Sequence, residues 1–574
     1  MVMLSLLLFF SALPSHMAKS SNHSDQQALM AFKVSISLEP YNSLSDWSPN
    51  HTFCNWIGIT CSSRRQRVVS LNLTGKGLLG SISPSLGNLS FLRVLALPID
   101  SFKGHIPYQL GMLFRLKRLR LSKNNLEGII PSSLGGCRSL QFLLLSYNNL
   151  SGSIPAEFSL LSNLETMALG LNKLTGVIPP FLGNLSFLRI IALEQNRLQG
   201  VIPAELGRLS ELQEVYLWGN RLTGEIPSTV GNWTQLQVLE LNNNQMTGTV
   251  PLGIGKMQQL SWFNLWHNHL VIGSSGLSIL TVLTNCSSLE HLDLAFNYFT
   301  GVLPTSIGRL SKSLSYLALN SNEIRGSIPD EIGNLTNLTL LDLNANQLNG
   351  TIPSALSRLP NLERLYLHTN NLQGRIPESF GQSKKLGLLS LSENMLSGQI
   401  PESLGKLPQL RDLILHHNQL SGKIPASLGR CQTLETVDLA NNKLSGNLPP
   451  EVAGLQNLQF YFNISKNLLQ GSILEMSKMV MVLAIDVSQN NFSGGIPSAL
   501  ASCKELEYLN LSSSAFEGPI PPLLADLQNL QYMDLSCNNL SGMIPVAFKK
   551  MKMLQHLNLS SNMLAGEVPR EGLL

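Results

Sequence analysis

Few side chains in this sequence could do chemistry, and their spacing argues for recognition rather than reaction. Eleven histidines and seven cysteines are present, but no acid–base pair, nucleophile or metal constellation falls in a context that forms a pocket. His416 and His417 invite a metal reading, yet adjacent residues of a strand point to opposite faces, so they read as solvated side chains beside a turn. The expectation is a protein with no catalytic residue, no metal and no cofactor. What does cluster is aromatic and mixed with charge. Tyr216, Trp218, Glu240, Trp262, Asn264, Trp266 and His267 fall close together, followed by Phe296 and Tyr316, then Tyr366 with His368, then Arg411, Asp412, Ile414 and His416. Trp, Tyr and Arg give large contact area with fixed polar handles, which recognition surfaces enrich. The candidate ligand-binding residues are Tyr216, Trp218, Glu240, Trp262, Asn264, Trp266, Tyr316, Tyr366, His368 and His416.

The elements that must position them follow from an internal period. Asn124, Asn148, Asn172, Asn196, Asn220, Asn244 and Asn268 succeed one another at intervals of 24. After one longer interval come Asn297, Asn322, Asn346, Asn370, Asn394, Asn418, Asn442, Asn467, Asn490, Asn538 and Asn562, while Lys76, Asp100 and Ser514 hold the same phase. That makes about 21 repeats across residues 67–574. Around each key position runs Leu-x-Leu-x-x-Asn-x-Leu-x-Gly-x-Ile-Pro, as in Leu143 to Pro155.

Each residue type has a mechanical reason. The alternating Leu pair is a short strand with one face inward, and stacked strands make a parallel sheet. Asn can donate to and accept from backbone groups that would otherwise be buried unpaired, at about 1–3 kcal/mol each. Gly permits a positive φ, and Pro fixes φ on the return side. One coil cannot bury its Leu face alone, but a stack can. The fold expected is an α/β-type repeat solenoid with a parallel sheet on its concave face and irregular or 3-10 return segments. Outward strand positions then form columns across coils; in the last four coils Ser488, Ser512, Ser536 and Ser560 make one such column bland.

Composition points to an exported chain. Hydrophobic residues make up 43% and charged residues only 13%, and the net charge of +4 forms no basic block, so nucleic acid is not an expected partner. Leu4 to Leu13 is a short apolar run followed by Pro14 and a small-residue exit at Ala18-Lys19-Ser20, which reads as a secretory signal over residues 1–20. About ten apolar residues cannot cross roughly 30 Å of hydrocarbon. Asn-x-Ser/Thr acceptor sites are frequent, with Asn22, Asn50, Asn88, Asn184, Asn232 and Asn334 the candidate glycosylation positions. Cys137, Cys286, Cys431 and Cys503 each precede a key position by 11 and fall in non-adjacent coils, too far apart to pair, so they read as buried thiols; Cys537 reads as exposed.

The return motif, as in Leu222-Thr223-Gly224-Glu225-Ile226-Pro227, resembles the plant-specific leucine-rich repeat, whose arrays coil into a twisted superhelix with a second small sheet on the flank. The segment 21–66 resembles that family's N-terminal cap, with Ala28 to Phe32 on an amphipathic helix, Trp47, and Cys54 to Cys61. The resemblance implies a Cys54–Cys61 disulfide; a zinc site would need two further ligands at suitable spacing. The run Leu283 to Leu289 and the ending Gly566 to Gly572 resemble the ectodomains of plant immune receptor kinases of the rice bacterial-blight and flagellin receptor type.

That resemblance implies an extracellular ligand-recognition module at the cell surface. It would sense a peptide, protein or microbial molecule, with a co-receptor kinase at the C-terminal repeats. The family's C-terminal cap, transmembrane helix and Ser/Thr kinase motifs do not occur before Leu574, so the expectation is a truncated receptor and not an enzyme. The alternative expectation is a secreted inhibitor or decoy that binds a wall-degrading enzyme or a ligand.

Overall fold

Most coils are built on a hydrogen-bonded asparagine, and the computed structural model shows how. It describes residues 22–568 apart from 274–276, 474, 475 and 477. The signal expected over residues 1–20, the side chain of Asn22 and part of the Gly566 to Gly572 ending lie outside the described residues. Asn322 is representative. Its amide nitrogen donates to the carbonyls of Leu294, Leu319 and Asn320, each at 3.1 Å, and its oxygen accepts the Phe299 N–H at 3.0 Å. One buried side chain thereby satisfies four backbone groups from neighbouring turns, which no apolar residue could do.

The chain forms two compact units, Met1–Gln199 and Gly200–Leu574. In the first, the helix Asn22–Val34 buries Ala28, Leu29 and Phe32. Trp47 stacks on Trp56 with ring centroids 5.2 Å apart and leans on Phe32 at 6.2 Å, so the cap plugs the open end of the Leu core with aromatic rings. Cys54 and Cys61 are disulfide-bonded, with Cα atoms 5.5 Å apart. Asp25, fully buried, holds Arg67 through two short contacts, Oδ2 to Nε at 2.8 Å and Oδ1 to Nη2 at 2.6 Å, and also accepts the Val68 N–H at 2.9 Å.

Strand Ile59–Cys61 pairs antiparallel with Val68–Asn72, which opens a parallel ladder through Val94–Ala96, Arg118–Arg120, Phe142–Leu144, Thr166–Ala168 and Ile190–Ala192. A second sheet on the flank runs from Ile36–Leu38 through Leu79–Ser81, Ser101–His105, Asn125–Ile129 and Asn149–Gly152 to Lys173–Leu174.

The second unit repeats the plan. Its parallel ladder begins at Glu214–Tyr216, Val238–Glu240, Trp262–Asn264, His291–Asp293 and Tyr316–Ala318, and continues in register to His556–Asn558. Leucines of the strands, such as Leu239, Leu292, Leu317 and Leu365, are fully buried. Return segments are 3-10 turns entered through proline, as Pro227 at φ −62 precedes Ser228–Asn232.

Among the described residues, two returns depart from the expected 3-10 form. The ninth coil, which has neither the Gly nor the Pro of its neighbours, accommodates a short α-helix at Ser278–Val282, and another helical turn lies at Pro450–Ala453. Cys137, Cys286, Cys431 and Cys503 are buried free thiols and Cys537 is exposed.

The left-handed backbone position is the less expected detail. Gly326 adopts φ +78 on the return side, as its position in the motif implies. In addition, the residue just before the key turn position is left-handed in coil after coil, and it is rarely glycine: Ile99 at φ +62, Phe296 at +52, Thr369 at +54 and His417 at +55. Such conformations cost of order 1–2 kcal/mol each for a side-chain-bearing residue. The asparagine bonds and the ladder on either side over-determine them.

Candidate functional site

Side chains alternate along each strand, so the outward face of the second unit carries three columns, two, four and six residues before the turn asparagine. The first-position column holds Trp262, His291 and Tyr316, which stack across three successive coils. Trp262 and His291 lie parallel with ring centroids 3.8 Å apart, and His291 and Tyr316 follow at 4.1 Å. His291 is covered on both ring faces, and burial pulls its pKa down to about 4, so it is a neutral spacer. Burial, with the charges of Asp293 and Asp342, pushes the Tyr316 hydroxyl up to about 12. Trp262 and Tyr316 therefore belong largely to a packed ladder, although Trp262 remains 39% exposed.

The middle column places Tyr216, Glu240, Asn264 and Asp293 in one paired register, with Ala318, Asp342 and Tyr366 following. Tyr216 donates its hydroxyl to Glu214 at 3.0 Å. Burial raises the pKa of Glu240 despite the hydrogen bond from the Trp262 side chain. Asn264 and Asp293 each use one oxygen to accept the N–H two residues on, at 2.9 and 3.0 Å from Trp266 and Ala295. These side chains hold the strand exit in place, so only their remaining polar atom is available to a ligand.

The column nearest the turn holds Trp218, Trp266, His368 and His416. Trp266 is half-buried and meets Phe296 edge-on at 5.8 Å and His267 at 5.2 Å, while Trp218 stands two coils away with Asn242 at the intervening position. The three tryptophans are thus two separate groups on one face. Tyr366 and His368 pack edge-on at 6.3 Å, and burial lowers the pKa of His368. The two histidines expected to point to opposite faces do not. His416 and His417 bring their Nδ1 atoms within 2.9 Å, because the left-handed φ of His417 takes it out of the strand alternation.

Three features of this face escape a column-by-column reading of outward residues. Ser488, Ser512 and Ser536 are buried, because each backbone N–H, and in Ser488 and Ser512 the hydroxyl too, turns back onto the Asp or Asn two residues earlier. The exposed character of those last coils comes instead from Tyr508, Tyr532 and His556, stacked at 4.5 and 4.4 Å. They recur six residues before each turn position, and that 24-residue spacing is the signal in the sequence. A polar recess of about 550 Å³ is lined by Glu363, Arg364, Lys385, Leu388, Arg411 and Asp412. It opens because Gly387 has no side chain where the adjoining coils place Glu363 and Arg411. Asn50, Asn88, Asn184, Asn232 and Asn334 are all exposed.

The buried carboxylates give a test of this electrostatic picture. Asp293 is 8% exposed, and burial pushes its pKa from 3.8 up to about 6. The folded state therefore binds the proton more tightly than the unfolded state. This contribution to stability is present below about pH 4 and is lost as pH rises through about 6. Asp293→Asn keeps the bond to Ala295, as Asn264 does one coil earlier. It is expected to raise stability at pH 7.5 by about 1–3 kcal/mol and to change it little at pH 4, measured by denaturant unfolding at both values.

Comparisons with known proteins agree with this architecture. Family models described as a leucine-rich repeat region, a leucine rich repeat N-terminal domain and leucine rich repeats match residues 269–421, 22–62, and 210–270 with 522–564. The LRR receptor-like serine/threonine-protein kinase EFR of Arabidopsis thaliana is 52% identical over 101 residues, 17% of this chain and 10% of that protein. Receptor kinase-like protein Xa21 of Oryza sativa subsp. japonica is 61% identical over 56 residues, 10% of this chain and 5% of that protein. The matched stretches thus span a tenth or less of those relatives.

Solved structures match along nearly the whole chain. The Arabidopsis receptor kinase HAESA, in complex with the peptide hormone IDA and the co-receptor SERK1, is 33% identical with a TM-score of 0.82, covering 95% of each chain. The plant peptide hormone receptor RGFR1 in complex with RGF2 is 36% identical with a TM-score of 0.84, covering 90% of this chain and 84% of that one. The chain belongs to the family of plant leucine-rich-repeat receptor ectodomains.

Proposed function

We propose that the outward strand face of the unit Gly200–Leu574 binds an extracellular peptide, and that the module signals through a co-receptor rather than by chemistry of its own. The observation that carries this is the alignment of half-exposed Trp218, Trp266 and Tyr366 with carboxylate and amide groups in one continuous, rigid register. That combination supplies aromatic anchors and directional polar contacts on a scaffold that needs no ordering on binding. HAESA and RGFR1, which share this fold, are seen with peptide hormones, and HAESA also with a co-receptor. The stacked Tyr508, Tyr532 and His556 are the surface assigned to the co-receptor here, since stacked aromatic rings make a flat patch suited to a protein partner.

The test is selection of a random-peptide phage library on the glycosylated secreted protein. Enriched peptides that compete with one another for a single site support the reading. Failure of any sequence to enrich above a heat-denatured control overturns it.

A further inference from the structure

The first unit has a charge asymmetry that the near-balance of the whole chain conceals. Residues 64–138 contain twelve Lys and Arg against only Asp100 and Glu127, with short clusters at Arg64 to Arg67 and Arg115 to Arg120, while the whole chain is nearly balanced at 40 to 36. The 24-residue period lays the scattered cations side by side. Arg93 and Lys117 occupy equivalent positions in adjacent coils, joined by the Lys117 N–H to Arg93 carbonyl bond at 2.8 Å. Arg118 and Arg120 project from one strand, registered with Val94 and Ala96 on one side and Phe142 and Leu144 on the other. All four cations are exposed, and so are Arg64 and Arg65 in the turn before Val68.

Nothing nearby neutralises them. Among the described residues, Arg93, Lys117, Arg118 and Arg120 have no carboxylate within 4.0 Å. Asp100 accepts the Leu78 N–H, Glu127 lies on the flanking sheet, and the first acid along the same edge, Glu165, is two coils beyond Lys117 and bound to Gln141 at 2.8 Å. Unopposed like charges repel and lower stability, so a patch of them is a standing attraction for anions.

The geometry also selects the kind of anion. Rings around the patch already carry cations: Phe91 has Arg115 at 4.3 Å and Arg67 at 4.6 Å, Phe142 has Arg118 at 5.0 Å, and Tyr147, half exposed, has Lys123 at 5.5 Å. A peptide would seek an aromatic anchor there, and a single-stranded nucleic acid would seek a free stacking platform. Neither is offered. What remains is a planar array of cations spaced by about 4.8 Å between coils and about 6.8 Å along a strand. That array suits a linear polymer with one anion per repeating unit.

We infer that the strand face around Arg93, Lys117, Arg118 and Arg120 is a docking surface for a carboxylated polysaccharide, a polyuronate chain lying across the first coils. This site is separate from the peptide face of the second unit and does not depend on it.

The test uses the intact chain and unesterified polygalacturonate, with fully methyl-esterified polymer as the neutral counterpart. Binding to the acidic polymer that weakens steeply between 50 and 300 mM salt, roughly as screening shortens from about 14 to 6 Å, is expected, with none to the ester. The triple variant Lys117→Gln, Arg118→Gln, Arg120→Gln is expected to lose about tenfold or more in affinity, while Arg118→Lys with Arg120→Lys retains binding. Arg64→Gln with Arg65→Gln, on the exposed turn, provides a weaker loss in a variant whose folding is not in question. Unchanged affinity in both Gln variants overturns the assignment. So does equal binding of poly-glutamate or single-stranded DNA of matched charge, which would make the patch a general anion surface.

Discussion

Replacing Asp25 by Ala is expected to lower the stability of the first unit by about 3–5 kcal/mol, the largest effect of any single polar substitution in the cap. The carboxylate is fully buried and Arg67 is 4% exposed. Removing Asp25 leaves a buried guanidinium without its counter-charge and the Val68 N–H without its acceptor. Val68 begins the strand on which the parallel ladder starts, so the damage falls on the first coils. Because stability in stacked repeats passes between neighbours, loss of the cap frays the array from that end. Denaturant unfolding followed by hydrogen exchange should show lost protection around residues 22–100, with the distant coils unchanged. The double change Asp25→Leu with Arg67→Met should recover much of the loss, since replacing a buried pair by apolar residues is often neutral. A drop below about 1 kcal/mol for Asp25→Ala alone would mean that water reaches the pair.

Trp218→Ala combined with Trp266→Ala is expected to weaken binding of a panned peptide by about 30-fold or more, since aromatic hot spots contribute around 2 kcal/mol each when truncated. Thermal stability should fall by clearly less than the ~2–5 kcal/mol of a buried Leu→Ala change. Both tryptophans are half-buried on the outward face, and the ring contacts of Trp266 are with Phe296 and the exposed His267 rather than with the Leu core. Trp262→Ala serves as the contrast. Its ring is stacked on His291 at 3.8 Å, so its removal should disturb the ladder more than it disturbs binding. A double variant that unfolds like a core mutant would assign the pair to structure.

The architecture was legible in the sequence because the residue types that build it are obligatory at fixed spacing. Only an amide can serve three carbonyls and one N–H at once, so Asn322 and its equivalents announce each turn. The Leu columns, the proline-entered returns and the buried cysteines follow from the same period. What stayed hidden depends on geometry that no residue type marks. The left-handed position before each turn residue accepts Ile99, Phe296, Thr369 and His417 alike, so it carries no signature. That position is also why His416 and His417 meet instead of diverging.

The Asp25–Arg67 pair spans 42 residues, and nothing local hints at it. The serine column of the last coils reads as exposed by alternation, which holds for Ser560, but Ser488, Ser512 and Ser536 are drawn inward by the Asp or Asn side chains two residues before them. The cation patch of the first unit is only partly marked in the sequence: Arg115, Lys117, Arg118 and Arg120 cluster there, but coil stacking brings Arg93 beside them. Of the candidate site, the middle column was found as a register, while its structural duty at the strand exits was not.

The most direct test of the central claim is hydrogen exchange of the glycosylated protein with and without a panned peptide at saturation. Slowed exchange confined to the strand segments and their exits around 214–218, 262–267 and 364–368 is the result this account predicts. Protection only in the 3-10 return segments, with these strands unchanged by the peptide, would contradict it.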